Sequence, residues 1–326
     1  MLSYEPLKSI VNHLNFNTRI QIYWKTPSLW NLITTAVYHG SWSFDFFAIQ
    51  NVSYLQMDNM SLYFNKEQIA ICENGKLHNP TDITKTGKSN IEWFKTLLSH
   101  YLRNGTKIRN LVLNVLPDCF VRNNSDKIEF RVSKLSINAP ISLEEFRRIQ
   151  NYVPYCKHVA LVLDTSTVQI IKEPLIKSAL ELNFSFNEFM DHLVQDIVMT
   201  LQNKHINLQF LPTSFGNVGL KMDWIPALVQ HWRTTERPKG STLTVSVKES
   251  LQVLEVVENL KVQNMNAMDS RITAHGARYT RTCVTIPVNS ESEIVVYLGQ
   301  DKDSTPARKK LALKIEVMAC GATVPQ

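Results

Sequence analysis

Short aliphatic runs recur between Lys107 and Val247: Leu111-Val112-Leu113, Leu135-Ser136-Ile137, Val159 to Leu163, Ala179 to Phe184, Ile206 to Phe210, and Leu243 to Val247. Centred on Leu111, Leu135, Leu161, Leu182 and Leu208, they step by 24, 26, 21 and 26 residues, with a longer last step of 37 to Val245. Helical stripes fall between them. Ser142-Leu143-Glu144-Glu145 has the form of a capping box and predicts a helix with Leu143, Phe146 and Ile149 inward, ending before Pro154. Residues 188–199 carry Phe189, Leu193, Ile197 and Val198. Asp223 is placed to cap a further helix with Trp224, Leu228 and Trp232 along one side and Pro226 in its first turn. Strand and helix thus alternate at a shared period, and no single unit is large enough to bury both its faces. The chain is constrained to stack such units so that neighbours cover one another.

The period lies in the range of leucine-rich-type solenoids. The expected fold is mixed α/β, with a leucine-rich-repeat-like strand-helix array over residues 89–262. That array opens with a capping box at Ser89-Asn90-Ile91-Glu92 and a stripe from Ile91 to Leu102. Residues 1–38 read as a short helical unit. Leu7, Ile10, Val11 and Leu14 share one face, Ile20, Tyr23 and Trp24 make a second stripe, and Ser28 opens a third. Residues 39–88 change to period two, with Trp42, Phe44 and Phe46 alternating and Leu62–Phe64 and Ile69–Ile71 flanking a polar turn. This predicts a small β meander and a following loop. A helix near Glu249–Leu260 closes the array. Residues 263–326 read as a C-terminal antiparallel sheet of about three strands that covers the last unit's edge.

The net charge of +6 is spread over 35 Lys and Arg with no run of five, the longest cluster being Arg308-Lys309-Lys310. A nucleic-acid footprint concentrates charge, so none is expected. The five cysteines, Cys72, Cys119, Cys156, Cys283 and Cys320, form no CxxC pair, which points to reduced thiols and a cytoplasmic or nuclear setting. No apolar stretch approaches a membrane span.

Catalytic patterns are missing. Gly87-Lys88-Ser89 has Asp82 where a phosphate-binding loop needs glycine, and there is no Gly-x-Ser-x-Gly elbow. The nine histidines form no His-x-x-x-His pair. Cys156 and His158 are expected on one strand face, the first buried and the second exposed at the strand start. Asp191-His192 is an isolated pair. Arg271, His275, Arg278 and Arg281 form the most interesting polar cluster and a candidate anion contact, although Arg278 and Arg281 alternate to opposite faces of one strand. No catalytic, cofactor-binding or metal residue is assigned, and a non-enzymatic protein is expected.

The opening Leu2-Ser3-Tyr4-Glu5-Pro6-Leu7-Lys8-Ser9-Ile10, with Asn17-Thr18-Arg19 and Pro27-Ser28-Leu29, resembles the start of a large Caenorhabditis-expanded group of functionally uncharacterised proteins. Glu293–Tyr297, Leu313–Met318 and Gly321–Val324 resemble that group's closing strands. The group is similar to nematode F-box and F-box-associated proteins, and Trp224 to Trp232 followed by Gly240-Ser241-Thr242-Leu243 resembles the associated region. The resemblance implies a substrate-recruiting adaptor of a cullin-type ubiquitin ligase. A Skp1-like adaptor would contact Leu7, Ile10, Leu14, Ile20, Trp24, Pro27, Leu29 and Trp30, and the array would bind an unknown target protein. An F-box usually opens Leu-Pro, where this chain has Leu2-Ser3. The alternative expectation is a structural protein-interaction protein without a ligase link.

Overall fold

The computed structural model describes the backbone of six strands between residues 42 and 82, and then residues 107–114, 129–186, 191–210, 222–247, 250–263, 267–272, 282–300 and 311–325. The helical unit expected over 1–38, with all eight proposed adaptor contacts, lies outside the described residues, as do the capping box at Ser89 and the Gly87-Lys88-Ser89 turn. The chain divides into two compact units, Met1–Leu161 and Val162–Gln326.

The first unit begins with the expected meander. Strands β1 (Trp42–Ile49), β2 (Val52–Met57), β3 (Met60–Phe64) and β4 (Gln68–Glu73) pair antiparallel in sequence order. The short β5 (Lys76–Leu77) and β6 (Thr81–Asp82) both pair with β4, inside the segment expected to be loop. On its other edge β1 runs parallel to β7 (Lys107–Leu113), so the meander extends the array's sheet. Strand β8 (Arg131–Ile137) follows in parallel, then β9 (Cys156–Leu163). Parallel neighbours need a crossover, and helix α1 (Leu143–Tyr152) supplies the one between β8 and β9. Its capping box is formed: Ser142 Oγ accepts from the Glu145 amide at 3.2 Å, and the Glu145 carboxylate accepts from the Ser142 amide at 2.7 Å. Phe146 and Ile149 are fully buried, each contributing about 1.5–3 kcal/mol of burial. Leu143 is only half-buried.

The strand register refines the period. Leu111 stands opposite Leu135, and Leu135 opposite Val159, a constant step of 24. Leu161 is the partner of Ile137, not of Leu135, so the uneven spacing read from the sequence came from the choice of centre. In the second unit Leu182 pairs with Ile206, again 24 apart, and the last step from Leu208 to Val245 is 37.

The second unit opens on a tight turn. Asp164 Oδ1 accepts from the amides of Ser166 and Thr167 at 2.9 and 3.0 Å. A 3-10 turn (Val168–Lys172) and helix α2 (Pro174–Ser178) follow, burying Ile170, Ile171, Leu175 and Ile176. Next come β10 (Glu181–Phe186), α3 (Asp191–Thr200), β11 (His205–Phe210), α4 (Ile225–Thr234), β12 (Thr242–Val247) and α5 (Ser250–Gln263). Strands β10, β11 and β12 are parallel neighbours. Helix α4 buries Trp224, Leu228 and Trp232 as expected, but its N-cap is Trp224 and no side chain caps it, so Asp223 does not play the predicted part. Pro226 lies in the first turn, where it costs no hydrogen bond.

Five strands finish the sheet, not three: β13 (Met268–Ile272), β14 (Thr282–Pro287), β15 (Ser292–Gln300), β16 (Leu311–Ala319) and β17 (Thr323–Pro325). Strand β16 pairs antiparallel with β12 and closes the edge of the parallel set, as expected for the C-terminal region. The order continues β15, β14, β13, β17. Helix α5 packs Val253, Val256 and Leu260 inward and contacts β12, β14 and β15. Strand β17 is tied in by Thr323, whose amide and hydroxyl both donate to the buried Glu293 carboxylate at 3.1 and 2.9 Å.

One burial pattern recurs at strands β7 to β11. The inward positions are Ile108, Leu111 and Leu113; Val132, Leu135 and Ile137; Cys156, Val159 and Leu161; Ala179, Leu182 and Phe184; and Asn203, Ile206 and Leu208, all buried. A step of three and then two requires strict alternation to lapse once near the strand start, as it does at a bulge. The β1–β7 register shifts at this level, between Trp42 and Ser43. The lapse separates Cys156 from His158: Cys156 is buried, while His158 is half-buried in register with Lys134. The two were expected on one face.

Candidate functional site

The residues between the inward aliphatics point to the opposite face of the sheet. In the second unit they are polar and stand in rows fixed by register. One row is Glu181, His205, Thr242 and Glu316; the next is Asn183, Asn207, Thr244 and Lys314. Thr244 is buried and the other seven are half-buried.

The rows are cross-linked. Asn207 Nδ2 donates to Asn183 Oδ1 at 2.7 Å and to Glu181 Oε1 at 3.1 Å. The His205 ring nitrogen Nδ1 lies 3.0 Å from Thr242 Oγ1. The Tyr297 hydroxyl, one strand further on, donates to Glu316 Oε2 at 3.0 Å. The stem of Lys314 lies close over Gly299, where a Cβ would meet Lys314 Cδ at 2.8 Å; any side chain at 299 would displace the lysine. Beyond Tyr297 the same face turns apolar, with Cys283, Val295 and Met318 packed around the tyrosine ring.

Asn207 Oδ1 is buried and has no hydrogen-bond partner among the described residues. Leaving such an acceptor unmet costs about 1–3 kcal/mol. It sits in the middle of the rows and is fixed by the two bonds its own amide makes. The face therefore presents preset acceptors, donors and one cation, held by the sheet, with the Asn207 Oδ1 sealed among them.

Of the residues singled out earlier, Arg271 lies in β13, where its backbone pairs with Thr282 and Val324; Arg278 and Arg281 fall outside the described residues. Cys156 is buried with its Sγ 3.2 Å from the Ser133 carbonyl, and burial raises its thiol above the ordinary range. Cys156, Cys283 and Cys320 are free thiols. Among the described residues no three His, Cys, Asp or Glu side chains gather as a metal ligand set, and no helix is long and apolar enough to cross a membrane. The rows themselves went unnoticed in the sequence. The signal was present: Asn183 and Asn207 are 24 residues apart, as are Glu181 and His205.

A family model for a domain of unknown function, DUF3557, matches residues 89–249. Residues 89–249 are thus similar to DUF3557. No curated protein matches the chain, and no solved structure does. The matched span takes in strands β7 to β12 and helices α1 to α4. It stops just after β12, so Glu181, Asn183, His205, Asn207, Thr242 and Thr244 fall within the matched span, while Tyr297, Lys314 and Glu316 come from the strands that follow it. The match supports an uncharacterised-domain family and lends nothing to the F-box resemblance of residues 1–38.

Proposed function

We propose that the protein is a non-enzymatic protein-recognition module and that the polar rows of β10, β11, β12 and β16 are its contact face. The observation that carries this reading is the pair of half-buried polar rows, set by register across four strands and cross-linked by Asn207. The array supports it independently. Its inward spacing, apolar-x-x-apolar-x-apolar at a 24-residue step, is that of leucine-rich repeats, whose stacked strands offer extended binding surfaces. The sequence of residues 1–38 supports an extension of the reading, in which a Skp1-like adaptor engages the N-terminal segment and the module delivers a target to a cullin-type ubiquitin ligase. A protein-interaction role without a ligase link is the simpler form.

The test is affinity capture of the intact protein from its native extract, beside an Asn183→Arg/Asn207→Arg variant. Proteins retained by the wild type and lost with the variant, while circular dichroism is unchanged, support the contact face. Identical captured sets with both proteins rule it out. A Skp1-like protein retained equally by both would support the ligase extension.

A further inference from the structure

The cations of the first unit look scattered in sequence and are gathered by the fold. Register places Lys107 beside Arg131 and sets Asn110, Lys134 and His158 in one row across β7, β8 and β9. Arg109 and Lys157 stand one residue before that row on the two outer strands. The inward neighbours Ile108, Val132, Cys156, Leu111, Leu135 and Val159 are buried, whereas Lys107, Arg109, Arg131, Lys134 and Lys157 are exposed, which sets these five on the outward face. Strands lie about 4.8 Å apart and rise about 3.3 Å per residue, so the five share a patch roughly 10 Å on a side.

Among the described residues no ion pair involves Lys107, Arg131, Lys134 or Lys157. An open groove lies at the patch, lined by Arg131, Ser133, Pro154, Tyr155 and Lys157, with one acid, Glu129, also on its wall. In the next row Val112, Ser136 and Ala160 are uncharged and Asp45 of β1 pairs with Val112, so the basic residues of these three strands end there.

We propose that this patch docks an acidic polypeptide segment. Lys107, Arg131, Lys134 and Lys157 repel one another at this spacing unless a partner of opposite sign covers them, and a complementary acidic surface gains both encounter rate and specificity. The size selects the class of partner. An extended peptide presents a carboxylate every second residue, about 7 Å apart along one face, so two or three acids span the patch. A nucleic-acid site tracks a longer line of phosphates than the roughly 10 Å spanned by these five cations. The docking residues differ from those of the polar rows in the second unit, so either site can fail without the other.

The experiment is fluorescence anisotropy of a labelled poly-glutamate peptide with the full chain. The comparison is between Lys134→Glu/Lys157→Glu and a control of equal charge change, Lys172→Glu/Lys177→Glu, in which both lysines are exposed in the second unit. The wild type is expected to bind. The patch variant should lose roughly tenfold in affinity or more and the control less than about threefold, with the wild-type affinity falling as salt rises. The proposal is overturned if the wild type does not bind, or if the two variants weaken equally, which would assign the effect to net charge. It is also overturned if oligo-dT binds more tightly than the peptide with the same dependence on Lys134 and Lys157.

Discussion

Asn203 occupies a position that is apolar in the preceding units, where Ile108, Val132, Cys156 and Ala179 stand. It is buried, and its Nδ2 donates to the carbonyls of Ile176 and Ala179, both at 2.7 Å, so it caps the end of α2 from the next strand along. Its own carbonyl accepts from Arg237 Nη2 at 3.3 Å, and the Arg237 guanidinium lies 5.0 Å from the centre of the Trp232 ring. Burial holds Arg237 below the ordinary arginine range. Asn203→Leu restores the apolar spacing of the other units but strands the Ala179 carbonyl and leaves that of Ile176 with only the Ala179 amide, 3.3 Å away. The expected result in chemical denaturation is a loss of about 1–3 kcal/mol, despite the larger apolar side chain. If packing governed this position instead, the variant would be neutral or stabilised. None of this was legible from residues 203 and 237 in the sequence, because the partners of Asn203 lie 24 and 27 residues away and only the stacking brings them together.

At the scale of single elements, α1 shows where sequence reading succeeds. Its capping box is local, set by Ser142 and Glu145 three residues apart, and it forms with both reciprocal bonds. Ser142→Ala removes the acceptor for the Glu145 amide and should cost about 1 kcal/mol in denaturant unfolding, with the slope of the transition unchanged. A Ser142→Asp variant should restore most of that loss. Elements whose signal is not local were harder to see. Helix α2 spans Pro174–Ser178, too short to write a stripe, and β13 reads Met-Asp-Ser-Arg-Ile, without the alternation that marks β14 to β16. Asp223 has the residue type of a cap, but the chain enters α4 through Trp224, which buries its indole there. Burial of the aromatic outweighs the cap preference, which is worth only about 1 kcal/mol.

At the scale of the molecule, periodicity made the parallel strands legible, while the pairing that ends the array in the second unit depends on contacts some 70 residues apart. Thr242 to Val247 align with Glu316 to Leu311, so β16 takes up every open backbone group along that edge of β12. An uncovered parallel edge is a template for pairing with another chain. Removing residues 264–326 would bare the β12 edge and also strip α5 of β14 and β15, exposing Val253, Val256 and Leu260. The DUF3557 match ends at residue 249, so a fragment designed on that boundary alone would carry this defect. The expected behaviour of residues 1–263 is self-association in light scattering and loss of cooperative thermal unfolding, where the full chain stays monodisperse. A monodisperse, cooperatively folding 1–263 fragment would mean that the array closes its own edge and that the C-terminal strands contribute only the outer half of the polar face.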